Sequence, residues 1–360
     1  MIKKVLFIGA GGAGSKVVNE LMEISSSING CFLNSNINEM KKLSKFDVDL
    51  GNFLYINGTG TGRDPEKAEE LLNLNKDKVG EFIRNNMGSY TTYVLLFSLD
   101  GGMGSGSMKS VSKAIKNLNK RFGREVSVNL VGICPKFKNR KKNLKNTLWA
   151  KKKIEELYEN NIIDSYMYVN NNKMENEKEF NKKIVSTIYN AYNINHDEID
   201  ESDATIVNNT KGYKCVLELP SSMSGNMKDA INYAIDNSNF VLPKNIGRCK
   251  TIGASFVDGI FDKYEVLDYF NVEDFDKEDY NPFKNIIVLG GCNKPNWIFN
   301  TYSKEYKELL DREEIEMDED EEEFDFDFSS TSKKDKNKEV KQTIKVNSEK
   351  DLRDLYDDMW

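Results

Sequence analysis

The stretch Gly9-Ala-Gly-Gly-Ala-Gly14 decides how this chain folds, together with a second glycine-rich stretch, Asp100-Gly-Gly-Met-Gly-Ser-Gly106. Each follows an apolar run typical of a buried strand (Val5–Ile8 and Tyr93–Ser98), and each precedes a helical pattern. Glycine lets backbone N–H groups turn towards a bound anion where a Cβ would collide, and a following helix N-terminus adds partial positive charge. Two such loops on one sheet predict that a single nucleotide has its phosphates held from both sides.

Strand and helix patterns alternate over the first 170 residues, which indicates βαβ units and a doubly wound parallel sheet of the α/β class. The predicted strands are Lys4–Ile8, Cys31–Leu33, Phe53–Ile56, Tyr93–Ser98, Ser127–Ile133 and Tyr166–Val169. The predicted helices between them are Ala13–Ile24, Pro65–Asn86, Ser105–Arg121 and Lys141–Glu159. Ligands in such sheets bind at the carboxyl ends of the strands, where both glycine loops fall.

Four segments are expected along the chain. Residues 1–175 form the nucleotide-binding domain, and 176–212 hold a long central helix and the loop that follows it. Residues 213–314 form a second, smaller α/β domain that ends in a long helix and lacks a glycine loop. Residues 315–360 form a disordered acidic tail. Its last residues, 352–360, have the apolar spacing of a short helix that folds against a partner.

Bulk composition favours a cytoplasmic protein with an acidic tail. Of 360 residues 39% are hydrophobic and 30% charged, and the net charge is −7. Residues 311–328 alone carry twelve acids and one base, so the remaining chain is close to neutral. The five cysteines are scattered without a C-x-x-C pair, which predicts neither a zinc site nor a disulfide framework and suits a reducing compartment. No apolar run approaches the ~20 residues of a membrane span, and no membrane insertion is expected.

A dinucleotide-binding oxidoreductase is the first alternative, because Gly9, Gly11 and Gly14 satisfy G-x-G-x-x-G. That class requires a carboxylate at the end of the second strand to hold the ribose, and here the strand runs into Asn34-Ser35-Asn36. It also leaves the second glycine loop without a role. The P-loop pattern G-x-x-x-x-G-K-[ST] is absent from the sequence, so the common NTPase grip is excluded.

Several motifs in order resemble those of the tubulin/FtsZ superfamily over roughly residues 2–310. Asp100–Ser107 is similar to its signature loop, Ile8–Ser15 to its first phosphate loop, Asn34–Asn36 to the segment after its second strand, and Gly58–Glu66 to its γ-phosphate-sensing loop. The resemblance implies a GTP/GDP site. The residues it assigns to that site from these loops are Gly11, Gly12, Ala13, Ser15, Asn34, Gly60, Thr61, Gly62, Arg63, Gly101, Gly102, Met103, Gly104, Ser105 and Gly106.

The segment Ile199–Tyr213 resembles the family's activation loop without a gap, including Asp200 and Asp203. In that family the loop enters the nucleotide pocket of the neighbouring subunit, and its acids polarise the attacking water. The resemblance therefore implies that Asp200 and Asp203 are catalytic and that hydrolysis is coupled to head-to-tail polymerisation. The plainer alternative is that these aspartates cap the helix that begins near Ala204.

The base and ribose contacts come from three further matches. Asn171, after the sixth strand, and Asn181, in the long helix, are assigned to the guanine base, since an amide offers both a donor and an acceptor. Pro135 fits the family's fifth loop. The stretch 136–142 that follows contains five bases and lacks the Glu that FtsZ uses near the ribose, and we give it no role.

Two departures from the family bear on the mechanism. Met103 replaces the signature Thr, which removes a hydroxyl near the phosphates, and Asp100 places a carboxylate close to the same pocket. A carboxylate beside phosphates is unfavourable unless a cation lies between them, so Asp100 is expected to help hold Mg²⁺ through water. Either change is expected to slow hydrolysis.

The acidic C-terminus without proline and the compact connection from Asn171 to Asp200 resemble the plasmid- and phage-borne TubZ branch. That resemblance implies a filament that segregates DNA, with the tail binding a DNA-bound adaptor protein. An FtsZ-like division filament is one alternative. A structural or regulatory homologue that binds nucleotide without turnover is the other.

Overall fold

The computed structural model describes residues 4–56, 61–193, 207, 209–223, 225–244, 246, 249–257, 261–272, 277–280 and 285–319. Its strands are β1 (Val5–Ala10), β2 (Asn29–Asn34), β3 (Phe53–Tyr55), β4 (Thr92–Ser98), β5 (Ser127–Cys134), β6 (Ser165–Asn170), β7 (Gly212–Leu219), β8 (Thr251–Phe256), β9 (Lys277–Tyr280) and β10 (Asn285–Cys292). Its helices are α1 (Gly11–Ile24), α2 (Ile37–Met40), α3 (Pro65–Leu74), α4 (Lys76–Asn86), α5 (Met103–Gly106), α6 (Met108–Arg121), α7 (Lys141–Glu159), α8 (Glu177–Tyr192), α9 (Met227–Asn237), α10 (Lys263–Phe270) and α11 (Asn296–Glu319).

These strands form one sheet in the order β3-β2-β1-β4-β5-β6-β7-β10-β8-β9. The strands from β3 to β7 run parallel, whereas β10 is antiparallel to both β7 and β8. The chain lays β2 and β3 on one side of β1 and then returns to place β4 on the other side. That reversal opens a crevice at the carboxyl ends of β1 and β4, which is where doubly wound sheets bind ligands.

Helices cover both faces of the sheet, as the near-continuous apolar strands require. All six residues of β1 and all eight of β5 are buried. One core cluster lies under α3, α4, α6, α7 and α11, and the other lies under α1 and α8. The α/β class and the doubly wound sheet predicted from the sequence are confirmed.

Helix ends differ from the predicted bounds for local reasons. The predicted helix Pro65–Asn86 is two helices, because the backbone of Asn75 leaves the helical region and its side-chain amide donates to Leu71 O at 2.8 Å. Helix α8 begins at Glu177 rather than Glu175, since the Asn176 side chain accepts from the amide of Glu179. Helix α11 continues to Glu319, five residues past the predicted boundary at 314.

Candidate functional site

The two glycine loops touch each other at the crevice. Strands β1 and β4 pair in register, with Ile8 opposite Leu95. Gly11 has φ +67°, and a Cβ on it would lie 3.1 Å from the amide nitrogen of Gly104. A Cβ on Gly104 would lie 2.9 Å from Ala10 O. The loops can approach this closely only because neither residue has a side chain, so the pair forms one continuous backbone surface.

The start of α1 supplies an anion-binding end to this surface. The helix begins inside the first loop, no side chain caps it at Ala10, and no acidic residue lies in its first turn. Its first amides and its dipole are therefore available to negative charge. Gly14 lets this end press against the sheet, since a Cβ there would lie 1.9 Å from Leu96 O.

A cavity of about 390 Å³ opens between the loops. It contains eleven of the predicted nucleotide contacts: Gly11, Gly12, Ala13, Asn34, Thr61, Gly62, Arg63, Gly101, Gly102, Met103 and Gly104. The segment 61–63 forms its outer wall and is fastened from α7: Lys142 Nζ donates to Gly62 O at 2.8 Å, and Asn146 Nδ2 donates to Arg63 O at 2.7 Å. Sequence spacing alone did not predict that α7 anchors this wall.

A second cavity of about 740 Å³ adjoins the first. Gly12, Ala13, Asn34 and Glu39 line both cavities, so the two make one elongated cleft. Of the remaining predicted contacts, Ser15, Asn171 and Asn181 line this second part. Asn171 follows β6 and Asn181 lies in the first turns of α8, so two distant segments bring their amides to the same space.

Three predicted contacts line neither cavity. Ser105 is buried and its hydroxyl donates to Gly101 O. Gly106 packs on α3, where a Cβ would lie 2.4 Å from Pro65 O. The carbonyl of Pro135 accepts from the hydroxyl of Tyr302 at 2.5 Å. These residues hold the walls in place. Gly60, Asp200 and Asp203 lie outside the described residues.

Glu39 is a cleft residue that the sequence analysis missed. Asn34 Nδ2 donates to Glu39 Oε2 at 3.0 Å, and that oxygen lies 2.9 Å from the position of a Cβ on Gly12. It joins Asp100, whose carboxylate accepts from the hydroxyl of Ser98 in the smaller cavity. The cleft therefore places two carboxylates beside its anion-binding backbone. The sequence signal that could have identified Glu39 is its position five residues after Asn34.

Burial also shifts the pKa of one carboxyl group in the larger cavity. Glu20 lines it, and burial raises the pKa of that carboxyl above its ordinary value, with Glu23 adding to the effect. Lys16 and Lys42 lie on the same lining.

No group of three or more His, Cys, Asp or Glu side chains among the described residues is placed to hold a metal ion. None of the described helices is both long and apolar enough to cross a membrane.

The segment that follows the predicted catalytic loop lies at the opposite edge of the sheet. Thr92 is the first residue of β4, and its hydroxyl donates to Asn209 Oδ1 at 3.4 Å. The glycine loop at Asp100 follows the last residue of that strand, and seven strand residues span roughly 20 Å. Helix α8 runs back along the sheet from Asn181, in the cleft, to Tyr192, which packs on Phe7; between these two residues the helix rises about 17 Å.

Together these features define a doubly wound α/β protein with one elongated cleft of nucleotide size, formed by two glycine loops at a topological switch point. Comparison with solved structures shows which doubly wound fold this is. TubZ from Clostridium botulinum phage c-st aligns with a TM-score of 0.74 and 19% identity, over 86% of this chain and 99% of that chain. A GTPγS-form protofilament of Bacillus thuringiensis TubZ aligns with 0.70 and 16%, over 88% and 94%. CetZ from Methanosaeta thermophila aligns with 0.67 and 17%, over 88% and 94%.

The chain therefore has the tubulin/FtsZ fold, as its motifs predicted. At the level of sequence, no family model and no curated protein matches it.

Proposed function

We propose that the protein binds GTP in the cleft, polymerises head to tail and hydrolyses the nucleotide at the contact between subunits. The triphosphate suits the smaller cavity, where backbone amides of both glycine loops and the start of α1 meet. The base suits the larger cavity, where Asn171 and Asn181 offer donors and acceptors to a guanine edge. Asn34 lies on the lining shared by the two.

Charge balance in the smaller cavity favours nucleotide with Mg²⁺. Arg63 and the rest of the segment 61–63 line this cavity, and we assign to them the sensing of the γ-phosphate. Asp100 and Glu39 would repel phosphate oxygens unless a cation lies between them. Asp100 and Glu39 would help to hold Mg²⁺ through water, and the ion would supply charge neutralisation.

The proposal of catalysis between subunits rests on the distance between the cleft and the segment that follows Asp200 and Asp203 in the sequence. Asn209 lies at the amino ends of the strands, and the cleft lies at their carboxyl ends. Asp200 and Asp203 precede Asn209 by nine and six residues, which supports the proposal that they serve the cleft of the next subunit. In a head-to-tail contact the amino edge of one subunit faces the cleft of the next. The two carboxylates would then position and polarise the water that attacks the γ-phosphate.

Structures of similar fold support self-association. Bacillus thuringiensis TubZ is described as a protofilament with GTPγS and as a two-stranded filament. CetZ2 from Haloferax volcanii is described as a protofilament with bound GTPγS. Because a head-to-tail contact is heterologous and does not close on itself, it builds open filaments.

Turnover of GTP per subunit, measured against protein concentration, tests this function. We expect turnover to appear only above a critical concentration and to vanish in Asp200→Ala, while the variant still binds GTP. Turnover that is constant per subunit at all concentrations would contradict catalysis at the interface.

A second candidate function is a filament or regulator that binds GTP without hydrolysing it, and Met103 favours it. The side chain is 5% exposed and belongs to the lining of the smaller cavity, where the family has a hydroxyl. Binding with no turnover at any concentration, together with turnover gained in Met103→Thr, would favour this candidate.

The biological role we propose is segregation of plasmid or phage DNA in the cytoplasm, with the C-terminal residues 352–360 binding a DNA-bound adaptor. The similarity of fold to phage c-st TubZ supports it. A gene for a small DNA-binding protein and repeated DNA sites beside this gene are the expected observation. Cell-division genes in that position would favour the FtsZ-like alternative.

A further inference from the structure

A third cavity, of about 470 Å³, shares no lining residue with either part of the cleft, and two of its lining residues, Lys142 and Asn146, bond the segment 61–63. Lys141, Lys142 and Lys145 of α7 line one side, and the rings of Trp149 and Tyr306 line another. We call it the α7 cavity. It contains the end of the basic stretch 136–142 that has no role in nucleotide binding.

Helix stability does not account for this concentration of positive charge. The first turn of α7 has no acidic residue, and no side chain caps it at Arg140. Cations at a helix N-terminus oppose the helix dipole. Asp64 and Glu66 also line the cavity, but the Asp64 carboxylate already accepts from the amides of Glu66 and Lys67 to cap α3. Lys142 and Lys145 on the basic side of the α7 cavity are therefore suited to an added anionic group.

The chain itself carries a segment of complementary chemistry. Residues 320–328, Asp-Glu-Glu-Glu-Phe-Asp-Phe-Asp-Phe, contain six carboxylates and three phenylalanines. In an extended conformation alternate residues face opposite sides, so Phe324, Phe326 and Phe328 share one side and the intervening aspartates share the other. The rings of Phe326 and Phe328 would pack on Trp149 and Tyr306 while the neighbouring aspartates meet the lysines.

The length of chain between the two is sufficient. Helix α11 runs antiparallel to α7: Lys294 pairs with Glu155 at 3.4 Å near the end of α7, and Tyr306 lies beside its first turns. From Tyr306 to Glu319 the helix rises about 20 Å. Seven further extended residues span about 23 Å, which returns Phe326 to the α7 cavity.

We propose that the end of this segment, residues 325–328, docks in the α7 cavity of its own subunit. Docked carboxylates compete for Lys142, whose ammonium otherwise bonds Gly62 O at 2.8 Å. The neighbouring Asn146 bonds Arg63 O and also Asp100 O at 3.1 Å. Docking in the α7 cavity would therefore weaken a contact that holds the segment 61–63 in the wall of the nucleotide cleft. This docking does not depend on whether the protein hydrolyses GTP.

Photo-crosslinking of the full chain tests the proposal. A benzoylphenylalanine replaces Phe326, and an equimolar mixture of isotopically heavy and light protein is irradiated without nucleotide. We expect cross-links to 141–149 or to the peptide that contains Tyr306, joining heavy to heavy and light to light. Lys145→Glu should lower their yield several-fold. Lys152→Glu, an exposed lysine of the same helix outside the cavity lining, is the matched control and should leave the yield unchanged.

Hydrogen exchange supplies a second readout on the unlabelled full chain. Replacing Phe324, Phe326 and Phe328 by Ala should speed amide exchange at 141–149 several-fold, and high salt should do the same to the wild type. Cross-links of mixed isotope composition would overturn docking within one subunit in favour of docking on a neighbour. Cross-links elsewhere, or unchanged exchange at 141–149, would overturn the α7 cavity as the site.

Discussion

At the scale of single residues, the glycines of the two loops have different tasks. Gly14 is needed for packing, because Leu96 O occupies the place of its Cβ. Gly101 lines the smaller cavity, and its nearest neighbour at the Cβ position is Ser98 O at 3.5 Å, an ordinary contact. The same residue type therefore supports the fold at one position and the cleft at another.

This difference predicts opposite outcomes for two matched substitutions. Gly14→Ala should lower the free energy of unfolding by about 3 kcal/mol or more, since backbone must move to admit the methyl group. Gly101→Ala should change it by less than about 1 kcal/mol while weakening nucleotide binding. Urea unfolding of both variants, followed by circular dichroism, measures the stabilities. Equal midpoints for the two variants would contradict this distinction.

At the scale of elements, α8 packs its C-terminal end over a buried lysine of β7. Lys214 is 3% exposed, and its ammonium lies 5.4 Å from the centre of the Tyr192 ring. Burial lowers the pKa of Lys214 from 10.5 to about 7, and Asp164 opposes that shift. Asp164 itself pairs with Lys116 at 2.5 Å and accepts from the amide of Val128. This polar cluster lies at the amino edge of the sheet, next to the segment at Asn209.

The lowered pKa makes stability depend on pH in a defined window. Between pH 7 and 10.5 the unfolded chain keeps a proton on Lys214 that the folded chain has lost, so wild-type stability rises with pH there. Relative to Lys214→Met, which has no such proton, the wild type should be less stable at pH 7. The gap should narrow by on the order of 1 kcal/mol per pH unit above it.

Denaturant unfolding of both proteins from pH 6 to 10 measures the gap. Because the Met variant shares every other titrating group, their contributions cancel in the difference. A gap that stays constant across this range would show that Lys214 does not lose its proton on folding.

At the scale of the whole molecule, the cleft and the segment at Asn209, which follows the proposed catalytic aspartates in the sequence, lie at opposite ends of the strands. The parallel strands from β1 to β6 all point towards the cleft, and α8 spans the distance back. A subunit therefore presents two different, complementary ends. If those ends complete one active site, defects in them should complement each other between subunits.

Mixing two inactive variants tests this. Ala13 is exposed at the junction of the two cavities, so Ala13→Trp should block nucleotide without disturbing the core. Asp200→Ala keeps the cleft and removes the carboxylate. Each alone should lack GTP turnover, and an equimolar mixture should regain up to roughly a quarter of wild-type turnover, because one contact in four pairs an intact cleft with an intact loop.

The double variant Ala13→Trp/Asp200→Ala is the control, since it should restore turnover to neither single variant. Failure of the mixture to recover, when both variants are folded, would contradict an active site shared between subunits.

Much of the cleft could be predicted from sequence because its parts are local. A strand that is buried on both faces must be apolar, and a residue where two backbones approach closely must be glycine. Short stretches of sequence therefore suffice to predict β1, β4 and the loops that follow them. Assigning Asn171 and Asn181 to the base needed the resemblance to a family, since neither residue belongs to a local pattern, and that assignment stays a proposal. Helix α10 and strand β9 were missed because their short segments have weak periodicity.

The alternation of strands and helices, the two glycine loops and the uneven charge can be read from the amino-acid sequence, because each depends on neighbours along the chain. Three contacts required the folded structure: Glu39 faces Gly12, α7 holds the segment 61–63, and Lys214 is buried beneath Tyr192. Those contacts join residues far apart in sequence, or depend on the direction in which a side chain leaves its element. Such directions are set by packing across the sheet, which no local spacing encodes.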